Sequence, residues 1–279
     1  MGDAGMLLAS RYRLEWRIAA DGTGEAWRAA DLAAGRPVAV RLLRTACAAR
    51  VELFLAAARR AAQVLHPGIA RVHDYGQASP DGTAFLVTEQ VGASSLAAVM
   101  QGGPLDPAWV LEVICQVTSA LSAAHSAGLA HQDIRPGNLL LAPGGTVKLT
   151  DFGLAQGADS HASDLYSLGL VAWGCLTGAP PASGASPEAA PGQERPPLPP
   201  LPATVPAGVA GLAADLTADD PAMRPADAAE VVTRCRELMA VPMRAAQARQ
   251  ADCPDTTLLL DPPAQRSRQL GSRQLARIA

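Results

Sequence analysis

The chain has 279 residues, 49 % of them hydrophobic but only 4 % aromatic, and a formal net charge of −3. That length holds two small lobes around one ligand cleft, with a core built mostly from Leu, Val and Ala. The mild negative charge and scattered basic residues give no case for nucleic acid or an anionic membrane surface as partner.

The five cysteines (Cys47, Cys115, Cys175, Cys235, Cys253) show no C-x-x-C spacing and none stands at ligand spacing from a His. They read as free thiols in a reducing compartment, and the expected location is cytoplasmic. No apolar run reads as long enough to span a bilayer, and no signal peptide opens the sequence.

Residues 11–18 alternate as a strand, Asp21-Gly22-Thr23-Gly24 turns the chain, and 25–30 returns. A short apolar strand over 38–43 contains Arg41. An Ala- and Arg-rich helix over 46–65 stops at His66-Pro67-Gly68. Strands are expected at 69–75 and 84–90, giving five strands and one helix. From Ser94 the pattern turns helical. A long helix over 107–127 opens at Leu105-Asp106-Pro107 and ends at Gly128. A strand follows at 147–150, then an almost wholly apolar, buried helix at 164–177. Ten prolines between Pro180 and Pro206 forbid a regular helix there. Helices resume at 209–217 and 226–239, and the polar tail 241–279 reads as flexible linker.

Three residues in the middle of the chain carry chemistry. Asp133, Asn138 and Asp151 are two carboxylates and a carboxamide set close together in the sequence. Any one of them alone would be a turn or loop residue.

His131-Gln132-Asp133-Ile134-Arg135-Pro136-Gly137-Asn138 and Asp151-Phe152-Gly153 resemble the catalytic and metal loops of protein kinases. With Arg11-Tyr12-Arg13-Leu14 and Ser163-Asp164-Leu165-Tyr166-Ser167-Leu168-Gly169, the resemblance to bacterial Hanks-type Ser/Thr kinases covers residues 11–240. It implies an α+β, two-lobed fold: a small antiparallel N-lobe sheet with one helix over 11–92, and a helical C-lobe over 93–240. Residues 1–10 would be an N-terminal extension and 241–279 a tail. It implies Asp133 and Arg135 as catalytic residues and Asn138 and Asp151 as metal ligands. Gly24, Ala39, Arg41, Glu89, Val91 and Leu140 would hold the nucleotide, with ATP and Mg²⁺ as the implied cofactors.

The departures from the family pattern fall mainly on the phosphate and substrate sides. The glycine-loop positions read Ala19, Asp21 and Gly24. Arg41 stands for the strand lysine, and Ala57 stands where the ion-pairing helix glutamate belongs. Gln132 replaces the arginine that reads a phosphorylated activation loop, and Arg135 replaces the catalytic-loop lysine. Asp164 follows Asp151 by only thirteen positions, with no A-P-E segment between them. Arg224, whose family partner is the glutamate of A-P-E, has to find another partner or face water.

The implied reading is a pseudokinase, a regulatory or scaffolding module for a protein partner that holds ATP and Mg²⁺ between its lobes. The alternative is a weak or atypical Ser/Thr kinase acting on a protein substrate. A further alternative is that Thr256 and Thr257, in Asp255-Thr256-Thr257-Leu258, are phosphoacceptors read by a phosphothreonine-binding domain of the forkhead-associated kind.

Overall fold

The computed structural model describes residues 2–20, 24–43, 47–78, 82–92, 94–152, 161–179 and 198–251, with 241–251 described by backbone alone. It has a compact unit over Met1–Val241 and a second over Pro242–Ala279.

The first unit opens with a six-stranded antiparallel sheet. Its strands are β1 (Leu7–Leu8), β2 (Tyr12–Ala20), β3 (Gly24–Asp31), β4 (Arg36–Leu43), β5 (Val72–Ala78) and β6 (Thr83–Glu89), in the order β1-β2-β3-β4-β6-β5. The sequence reading expects five strands. The sixth is β1, inside the expected N-terminal extension, where Leu7 and Leu8 pair with Arg13 and Tyr12. Strand alternation sets the site. Val38, Val40 and Leu42 of β4 are buried on one face, so Ala39 and Arg41 lie on the other. Ala39 pairs with Thr88, and Arg41 sits between Ala26 and Leu86.

Helix α1 (Ala48–Ala61) packs Phe54 and Ala58 against Leu43, Ala84 and Leu86 of the sheet. It is shorter at both ends than the 46–65 pattern predicts. The C-lobe contains α2 (Leu96–Met100), α3 (Pro107–Ser126), the hairpin β7 (Leu139–Leu141) and β8 (Val147–Leu149), α4 (His161–Thr177), α5 (Ala207–Leu216) and α6 (Ala228–Ala251). Asp106 caps α3, accepting from the N–H groups of Ala108 and Trp109 at 2.9 and 3.0 Å, and Gly128 beyond its end has φ +69°.

By length and composition α3 could cross a membrane, which corrects the expectation that no apolar run is long enough. Here Val110, Ile114, Val117 and Leu121 bury it in the C-lobe core. Helix α4 starts three residues before the expected Asp164. Helix α6 continues through the Ala- and Arg-rich stretch to Ala251, inside the expected flexible tail; those residue types are good helix formers.

The Asp151–Asp164 connection, most of Pro180–Pro206 and the Thr256–Thr257 doublet fall outside the described residues. The described part of the proline stretch, 198–206, has no helix. Trp173 Nε1 donates to the Pro199 carbonyl at 3.0 Å and holds that strip to α4.

Candidate functional site

Asp164, 1 % exposed near the start of α4, anchors the loop after α3. Its carboxylate accepts from the backbone N–H of His131 and of Gln132, both at 2.7 Å, and from His125 Nε2 at 2.8 Å. Burial works to raise this carboxyl, but the bond from His125 and those from the loop backbone hold it below the usual carboxylate range. His131 is fully buried. Its Nδ1 accepts from the Asp133 N–H at 3.2 Å, so Nε2 carries the proton and donates to the Thr150 carbonyl at 2.8 Å. Burial keeps the ring neutral by pushing its pKa down. The His131 ring also packs on Phe152 at 4.4 Å between centroids. One buried histidine thus ties the Asp133 loop to the Asp151 loop.

Both loops store backbone strain. Gln132 has φ +68° and Asp151 φ +63°, a region that non-glycine residues rarely adopt. The outcome is a close cluster. Asp133 Oδ2 accepts from Asn138 Nδ2 at 2.8 Å and from Arg135 Nε at 3.0 Å. Asn138 Nδ2 also donates to the Asp133 carbonyl at 2.9 Å.

Across the cleft, Arg41 Nη1 stands 3.5 Å from Asp151 Oδ2, with the Arg41 side chain 10 % exposed. The sequence reading leaves Arg41 unpositioned for want of a glutamate on α1; the structure corrects this. Ala57 is buried in that helix and Glu52 is exposed, while the guanidinium is held by Asp151. Burial raises the Asp151 carboxyl, and Arg41 opposes that rise. Arg224, which lacks its A-P-E partner, is 7 % exposed. It donates to the carbonyls of Ala218, Ala162 and Asp219 and lies over the Tyr166 ring at 4.6 Å.

Arg41, Asn138 and Asp151 line a cavity of about 300 Å³ between the lobes, together with Ala39, Glu89, Val91, Leu140 and Arg135. Its walls are apolar toward Ala26, Ala39 and Leu140 and polar toward Asp151. The Glu89 N–H donates to the Arg71 carbonyl at 2.8 Å, so a ligand bond to this residue's backbone has to use its carbonyl. The Glu89 side chain is turned to Lys148 at 2.6 Å. Two expected site residues stand outside the lining. Asp133 meets the cleft through Arg135 and Asn138. Gly24 begins β3, where an added Cβ would run into the Leu42 carbonyl oxygen, so strand packing alone already demands glycine there.

Asn138 and Asp151 bring oxygens of the right chemistry for the divalent cation that kinase-type sites use. Yet the Asp151 carboxylate already faces a guanidinium, and the Asn138 amide is turned to Asp133. In this arrangement a divalent cation would compete with Arg41 for the Asp151 carboxylate. Among the described residues no cluster of three or more His, Cys, Asp or Glu could hold a metal. His125, Thr150 and Ile18 escape the sequence reading: the first two act through partners far along the chain, and Ile18 carries no chemical motif.

A family model for the protein kinase domain matches residues 17–162. Serine/threonine-protein kinase PknA of Mycobacterium tuberculosis (strain ATCC 25618 / H37Rv) is 38 % identical over 255 residues, covering 79 % of this chain and 59 % of that protein. PknL of the same strain is 32 % identical over 212 residues, covering 64 % and 52 %. The chain therefore spans little more than half the length of these curated relatives. The crystal structure of the M. tuberculosis PknI kinase domain superposes with a TM-score of 0.70 at 24 % identity, covering 85 % of this chain and 99 % of that one, a likeness of fold. The matched sequence and the shared two-lobed fold agree, and the chain belongs to the bacterial Hanks-type serine/threonine protein kinase family.

Proposed function

We propose that this kinase-family domain is a pseudokinase: its interlobe cleft holds an adenine nucleotide, and it acts on a protein partner by binding rather than by transferring phosphate. The observation that carries the reading is the exchange of ion-pair partners around Arg41. Phosphoryl transfer needs phosphates, metal and acceptor aligned together. With Ala57 on α1, the strand cation sits on Asp151, the residue that would otherwise serve a metal. At the same time Arg135 and Asn138 both donate to Oδ2 of Asp133, which lowers the basicity of the carboxylate that a general base would use. The apolar walls at Ala39 and Leu140 and the Glu89–Val91 backbone remain suited to an adenine ring.

Thermal denaturation with increasing ATP tests the nucleotide half. Specific binding raises the melting temperature by mass action, by about 2.7 kcal/mol of stability at a hundredfold excess over Kd. An unchanged melting temperature at saturating ATP would remove the nucleotide from the account. The runner-up reading is a weak Ser/Thr kinase. It is favoured by the left-handed backbone at Gln132 and Asp151, held despite its strain, and by the buried Asn138 beside Asp133.

A further inference from the structure

We infer that the cleft takes its nucleoside polyphosphate without a divalent cation, the charge being supplied by Arg41 and Arg135. The inference rests on the cleft's being a nucleotide site. It starts from an electrostatic redistribution. A divalent ion is drawn to a carboxylate whose charge is not already met by a cation. Asp151 is met by Arg41, and Asp133 by Arg135 at 3.0 Å. Both arginines line the cavity, one from β4 and one from the loop before β7, with Asn138, Thr150 and Asp151 between them. A guanidinium offers paired N–H donors that match phosphate oxygens, and a charge that fits a polyphosphate from either side. Arg41 is 10 % exposed and held on one side by Asp151, so little side-chain freedom is lost when an anion arrives. Arg135 is half exposed and lines the cavity while it holds Asp133.

The test is a fluorescence titration of the full chain with an N-methylanthraniloyl ATP analogue, once in Mg²⁺ and once in excess chelator. The expected result is saturable binding in both, with Kd values agreeing within about threefold. Arg41→Gln should weaken binding in chelator by about tenfold or more. Far-UV circular dichroism establishes that this variant is folded, and the wild-type comparison needs no variant. Wild-type affinity that falls more than about threefold on chelation overturns the inference and leaves the nucleotide site standing. No saturable binding in either condition overturns the nucleotide reading itself, a different and recognisable outcome.

Discussion

Three donors converge on the buried Asp164 carboxylate, two of them backbone N–H groups of the strained Asp133 loop. Removing it leaves those donors unpaired inside the C-lobe. Asp164→Ala should therefore destabilise the fold by roughly 3–5 kcal/mol, read as a lower urea midpoint. A loss below 1 kcal/mol or so would mean the loop holds itself. A second carboxylate contributes to the acid limb of stability. Asp31 receives a bidentate pair of bonds from Arg11, both 2.8 Å, and its pKa falls from 3.8 to about 2, chiefly through that bond. A depressed folded-state pKa gives stability that is present above 3.8 and lost as pH falls toward about 2. Asp31→Asn should lower stability at neutral pH and flatten the fall over that window. An acid-unfolding curve of unchanged steepness would show that Asp31 does not contribute to that limb.

Helix α4 crosses α5 at Gly169, where an added Cβ would lie 2.7 Å from both Leu216 Cβ and Thr217 Cγ2. Gly169→Ala must separate the helices or distort them, and should cost about 1–3 kcal/mol, seen as a lower melting temperature with unchanged far-UV helicity. Most elements were legible in the sequence because period-two and period-3.6 patterns decide which face is buried. The apolar strand over 38–43 was legible with Arg41 inside it, and the structure puts Arg41 on the face opposite Val38, Val40 and Leu42. Strand β1 was not legible, since two leucines make no period. The Asp133, Asn138 and Asp151 cluster was legible by spacing. Its internal bonds were not, because the Arg41–Asp151 contact spans 110 positions and depends on what α1 lacks. Gly24 misled in the other direction, its glycine being explained by the Leu42 carbonyl as well as by any phosphate.

At the scale of the whole molecule, two lobes close on a cleft that keeps the family's architecture and redistributes its charges. The alignment with PknA runs over 255 positions yet engages only 79 % of this chain, so that relative carries residues this chain lacks. The thirteen positions from Asp151 to Asp164 fit a shortened activation segment. On the pseudokinase proposal, shortening there and the paired carboxylates would act in the same direction, against acceptor alignment. The most direct test is incorporation of label from γ-phosphate-labelled ATP into the purified chain and into generic protein substrates, beside an Asp133→Asn control. The account predicts incorporation no greater than in that control, from protein that nonetheless binds nucleotide. Robust incorporation that disappears in Asp133→Asn would contradict it and establish an active kinase.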